Sequence, residues 1–185
     1  GLWRIYFESR GSAKEPTVIC SAVSTDMLHW EHEKGIRFQL QGIGDVRSPR
    51  YVKLSDGRGR LYCVVAKMVD GVKRTQVISA VTLDGLNFTQ EPGYLMQDRH
   101  SQYDSMGITA AEIVPPDETI KQDIWTMYYS VWEDVPQGTV VPVHPMHEDS
   151  LSYDFAAASI ASDMAGYRSR IFRSCSKDGL EWEAG

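Results

Sequence analysis

Two carboxylates stand just ahead of apolar runs, in Asp45-Val-Arg47-Ser48-Pro49 and in His100-Ser-Gln-Tyr103-Asp104-Ser-Met-Gly107. An Asp at such a place either caps a turn beside Gly or Ser or marks the rim of a cleft. Two carboxylates brought to one cleft from adjacent units can divide acid–base work between them. Arg47 adds a planar, always-charged fork close to Asp45, suited either to clamping a ligand or to an internal ion pair.

Other side chains with chemical potential read more simply. The run His144-Pro-Met-His147-Glu148-Asp149 holds imidazoles and carboxylates that suit several divalent ions. Pro145, however, removes the helical geometry that would bring the two histidines to one metal, and the acids nearby lack EF-hand spacing. The segment reads as a loop that serves as a lid or binding wall, with no metal and no cofactor. Cys20, Cys63 and Cys175 are widely spaced within apolar runs, without a CxxC pair, and read as core thiols.

These groups need a scaffold, and a repeated phrase supplies it. Ser24-Thr-Asp26-Met-Leu-His-Trp30, Thr82-Leu-Asp84-Gly85-Leu-Asn-Phe88 and Ser176-Lys-Asp178-Gly179-Leu-Glu-Trp182 share hydroxyl, Asp, usually Gly, Leu and an aromatic at fixed offsets. Each follows an apolar, β-branched run, which makes it a strand, an Asp-Gly turn and the opening of the next strand. Hairpins repeated at wide spacing predict β-propeller blades. The Asp of each phrase is therefore a turn residue.

The second unit is the most complete, with expected strands at Ser48–Leu54, Arg60–Ala66, the run ending at the Asp84 turn, and Phe88–Met96. The third repeats that order at Ile108–Val114, Ile124–Trp132 and Tyr167–Cys175. The first lacks an inner strand, since Leu2–Phe7 resembles a second strand. The predicted organisation is all-β and a single domain over 1–185: an incomplete blade at 1–40, a blade at 45–97, and a blade at 104–185 with an insertion at 133–166. Ala156–Ser162 is the one helix candidate, and it is short. Loop alternation in a blade puts the insertion at the end where inner strands begin, and its Pro and Gly content predicts mobility over 135–150.

The phrase Ser-x-Asp-Gly-Leu-x-Trp, with Trp125-Thr-Met-Tyr-Tyr-Ser130 before it, resembles the five-bladed β-propeller glycosidases: the arabinanase, β-xylosidase, invertase and levansucrase group. The resemblance covers nearly the whole chain as a repeat pattern. It implies acids at the starts of the innermost strands, lining a central funnel, so Asp45 and Asp104 become the candidate catalytic pair. Invertase-like members carry Arg-Asp-Pro where this chain has Arg47-Ser48-Pro49, so Ser48 stands at the place of an acid. Glu112 lies one position from the Glu expected at the next inner strand.

The same resemblance implies a carbohydrate ligand. Arg47, His100, Tyr103, Trp132 and Arg168, with His144 and His147 from the insertion, would line the mouth, because aromatic faces and planar polar groups hold sugars. A non-catalytic sugar-binding or protein-interaction propeller is the alternative, since propellers host many unrelated activities. About 55 residues per blade would require on the order of 280 residues for a five-bladed ring, so missing blades or another chain are expected to complete it.

Composition fits this picture. The chain has 185 residues, 42% hydrophobic and 24% charged, enough for a core, with a net charge of -6. No cationic cluster suits nucleic acid, no apolar run reaches the ~20 residues of a membrane helix, and the start has no signal-peptide pattern. Gly1 in place of Met leaves room for a removed leader, and the compartment stays open.

Overall fold

The computed structural model of the chain describes residues 1–12, 14–42, 44–69, 72–93, 95–97, 107–117, 119, 122–134 and 167–184. They form three antiparallel sheets and, among the described residues, no α-helix. The first sheet is β1 (Trp3–Ser9), β2 (Val18–Ser24) and β3 (Glu31–His32), in that order. The second runs β4 (Asp45–Lys53), β5 (Gly59–Val69), β6 (Val72–Thr82) and β7 (Thr89–Gln90), with β8 (Met96–Gln97) also on β6. The third is β9 (Gly107–Val114), β10 (Trp125–Asp134), β11 (Tyr167–Ser176) and β12 (Glu183–Ala184).

Register shows that the sheets are copies of one unit. The hydroxyl residue of each phrase faces the same place on the preceding strand: Ser24 opposite Trp3, Thr82 opposite Gly59, Ser176 opposite Trp125. β1 is thus a second strand, and the first blade has no inner strand among the described residues.

The turns between third and fourth strands explain the phrase atom by atom. In the second unit the Thr82 hydroxyl accepts the Gly85 amide at 2.9 Å, while Asp84 Oδ1 accepts the amides of Leu86 and Asn87 at 2.8 and 2.9 Å. Ser176 and Asp178 do the same for Gly179, Leu180 and Glu181, and Ser24 and Asp26 for Met27, Leu28 and His29. The fourth position must take a positive φ, which is +74° at Gly85, +75° at Gly179 and +63° at Met27. Donation from these amides holds all three carboxyls below the usual range.

The core lies between sheets. Along β5, Leu61, Cys63 and Val65 pack toward the first sheet and Tyr62 and Val64 toward the third, so both faces of this strand are buried. Burial pushes the Cys63 thiol up and makes it an inert core residue. Cys20 and Cys175 are only half-buried, because they belong to the two outer sheets.

Two strand limits differ from expectation. The fourth strand of the second unit is split into β7 and β8, since Pro92 has no amide to donate and Gly93 turns at φ +86°. β4 begins at Asp45 instead of Ser48: Asp45, Val46 and Arg47 pair with Ala66, Val65 and Val64 before a bulge at Ser48-Pro49. The helix candidate at 156–162 and the expected mobile stretch at 135–150 lie outside the described residues.

Candidate functional site

β4 and β9 form neighbouring edges of the second and third sheets, with β1 packed against β4. The bulge in β4 turns Ser48 to φ +50°, an uncommon conformation for a side-chain-bearing residue and a form of strain that clusters at functional sites. It is held from both neighbouring sheets. The Ser48 amide donates to Glu8 at 2.7 Å, and its hydroxyl donates to the Thr109 carbonyl at 3.2 Å. One turn of chain further on, Arg50 pairs with Glu112 across β4 and β9.

Asp45, at the start of β4, is the most constrained carboxylate of this region. Its Oδ1 accepts from the Thr17 amide at 2.9 Å and from Arg10 Nη2 at 3.0 Å, and its Oδ2 accepts from Arg47 Nη2 at 2.8 Å. Arg10 also donates to the Thr17 hydroxyl at 2.7 Å, tying the end of β1 to the start of β2 and to Asp45. Partial burial opposes ionisation, but the Thr17 amide and the Arg47 guanidinium outweigh it and hold the Asp45 carboxyl at about 2. Asp45 is therefore anionic through the physiological range. The Arg47 side chain remains substantially exposed beyond this ion pair, with its Nε buried.

Arg47 makes the ion pair with Asp45, one of the two roles its place in the sequence left open, and its side chain stays partly exposed. Arg10, Thr17 and Glu8 were not visible as site residues in the sequence, because their partners lie far along the chain and only strand packing joins them. Trp132 and Arg168 occupy strand positions at the end of the third sheet where β9 begins: Trp132 is opposite Gly107 and Arg168 opposite Glu133. The strand ends that flank 135–166 lie at this end too, away from the Asp178 turn. His100, Tyr103, Asp104, His144 and His147 lie outside the described residues. Among the described residues no group of His, Cys, Asp and Glu gathers as a metal site.

No protein-family model and no curated protein matches the sequence. Solved structures do. The chain is similar over 100% of its length to a Bombyx mori GH32 beta-fructofuranosidase, with TM-score 0.63 and 14% identity, covering 32% of that chain. A thermostable family-43 glycoside hydrolase aligns over 100% of the chain with TM-score 0.62 and 14% identity, covering 50% of its own length. A third structure, described as a glycoside hydrolase, gives 0.63 and 10% identity, with 53% of its chain covered. The chain spans between about a third and a half of each. At these identities the likeness is one of fold: three blade-like sheets of the five-bladed β-propeller seen in glycoside hydrolases.

Proposed function

We propose that the chain is part of a carbohydrate-active propeller that hydrolyses or transfers glycosyl groups with a pair of carboxylates in its central funnel. The observation that carries this reading is Asp45, anionic at the start of an inner strand and held there by Arg10, Thr17 and Arg47. Both of its oxygens are engaged, so it suits the part of a fixed negative charge and not that of a nucleophile. Asp104, before the next inner strand, is then the essential carboxylate. A fixed anion beside it would keep its proton available for the leaving oxygen. Arg47, oriented by Asp45, clamps substrate hydroxyls, with His100, Tyr103, Trp132, Arg168 and His144 or His147 forming the walls. The solved proteins of this fold support the substrate class: one of them was solved in complex with sucrose.

Ser48 favours a second reading. It occupies a place where an acid stands in invertase-like enzymes, and it is spent on contacts to Glu8 and Thr109. A sugar-binding propeller without turnover would look like this. Incubating the full protein with a panel of aryl glycosides and oligosaccharides separates the two. Turnover abolished by Asp104→Asn supports catalysis, whereas saturable binding with no product on any glycoside supports the binding module.

A further inference from the structure

One arginine breaks the repeat and meets no carboxylate among the described residues. The stretch after β3 follows the stretch after β7 bond for bond. The amides of Glu33 and Arg37 donate to the Ser21 and Ile19 carbonyls, as those of Glu91 and Leu95 donate to Ser79 and Val77. Phe38 bridges to Ile19 as Met96 pairs with Val77, and Gly35 and Gly93 both turn at positive φ. Register therefore sets Arg37 where the second unit carries Leu95, a residue packed on the core. A charge in an apolar position of a repeat is costly unless something pairs it.

Arg37 is 9% exposed. Arg4, Arg10, Arg47, Arg50, Arg58 and Arg60 each pair with an Asp or Glu. Arg37 instead donates from Nη2 to the Lys34 carbonyl, and its buried Nε has no partner among the described residues. Glu33 feels its charge but is already taken, with both oxygens on Arg4 and a further bond from Ser21.

The Arg37 side chain lines a groove of about 380 Å³, within the ~300–1,000 Å³ of small-molecule sites. Gln39 and Gln41 enter it from the chain leaving the first sheet, and Gln90 from β7 of the second. All three are exposed, Ile36 and Phe88 add apolar surface, and no acid among the described residues lines the groove. An amide both donates and accepts, as a sugar hydroxyl does, and apolar side chains suit the C–H patches of a sugar ring. One guanidinium balances one carboxylate and can hold both of its oxygens, whereas a phosphate dianion would leave charge uncompensated.

We propose that this groove binds an acidic sugar unit, a hexuronate whose carboxylate pairs with Arg37 and whose hydroxyls meet Gln39, Gln41 and Gln90. β7 and β4 are opposite edges of the second sheet, so the groove and Asp45 belong to different edges. The inference holds whether or not the funnel turns over a substrate.

Isothermal titration calorimetry of the full protein tests this with digalacturonate, its uncharged dimethyl ester, sodium acetate and inorganic phosphate. Digalacturonate should bind saturably. The ester should bind about tenfold or more weaker, and digalacturonate should lose as much on Arg37→Leu, since bonds to a charged group are lost. Arg37→Leu installs the residue type of Leu95, so it should melt no lower than wild type. Gln90→Ala, at the exposed wall, should weaken binding several-fold, and it decides the matter should Arg37→Leu fail to fold. Unchanged affinity in Arg37→Leu, or in Gln90→Ala, overturns the proposal. So does equal affinity for the ester, or uptake of acetate or phosphate as tight as that of digalacturonate, which would make the groove a general anion site. Binding lost in Arg47→Lys but kept in Arg37→Leu would place the sugar in the funnel, and no saturable binding of digalacturonate would leave Arg37 without this ligand; either result overturns the proposal.

Discussion

The two ends of each blade follow different rules. At the Asp-turn end, three units repeat the same bonds with almost the same lengths. In the first two units the ion pairs behind the turns match as well: Arg4 and Arg60 each meet both oxygens of a Glu, Glu33 and Glu91, at 2.8 and 2.9 Å, and Ser21 and Ser79 each donate to that Glu at 2.7 Å, whereas the third unit has Thr126 at the Arg position. At the opposite end nothing repeats among the described residues. Asp45 is clamped by Arg10 and Arg47, β4 bulges at Ser48, and β9 begins at Gly107 without a matching carboxylate among the described residues. A rim that repeats carries packing, while an end where each residue occurs once carries whatever distinguishes this protein from any other propeller.

The comparison can be broken most forcefully at Gly179. Gly179→Met combines a positive φ with a Cβ driven against Tyr62 and Trp125. It should cost about 3 kcal/mol or more, as left-handed strain adds to overpacking, and chemical denaturation would show it. Met27→Gly, at a turn with no incoming Tyr, should instead leave stability the same or slightly higher. A Gly179→Met chain as stable as wild type would remove the rim's structural role.

Asp45 sharpens the contrast through pH. Its folded carboxyl sits at about 2, below the ~3.9 of an unfolded Asp. Its contribution is therefore fully present above about pH 4 and is lost as pH falls through about 2, amounting to roughly 2 kcal/mol. Asp45→Asn should lower stability at neutral pH by an amount of that order and flatten the acid limb between about pH 4 and 2. An unchanged acid limb in the variant would show that the ion pairs do not form.

Smaller effects follow along the blade junctions and at the mouth. Tyr62→Phe should lose about 1 kcal/mol, the value of the one buried hydrogen bond its hydroxyl donates to the Gly179 carbonyl, whereas Tyr128→Phe should change the stability of this chain very little. Equal losses at both positions would mean that Tyr128 already has a partner. Arg47→Lys should raise KM several-fold with a lesser effect on kcat, because an ammonium cannot reproduce a planar fork. A kcat loss larger than the KM change would contradict the proposed clamp role of Arg47.

The same contrast explains what could be read from the sequence. The phrase around Asp26, Asp84 and Asp178 was legible because three copies average out chance, and because turn geometry constrains residue type locally. The order of the strands within each sheet followed from aligning those copies. The break between β7 and β8 was written in Pro92-Gly93 yet hidden by the apolar residues around it. Arg10 and Thr17 could not be found, since their link to Asp45 spans many residues and depends on how β1, β2 and β4 pack. Nor does any local signal announce that Ser48 turns to positive φ, because only the bonds to Glu8 and Thr109 from the two flanking sheets hold it there.

The division of labour between the two ends is tested most directly by measuring turnover and melting temperature on the same preparations of Asp104→Asn and Asp84→Asn in the full protein. The amide at 104 can neither carry a proton nor act as a charged nucleophile, so turnover should fall by about 100- to 10,000-fold with melting unchanged. The amide at 84 should lower the melting temperature and spare turnover per folded molecule. Wild-type turnover in Asp104→Asn, or a loss of activity that merely tracks the loss of stability in both variants, would contradict the account.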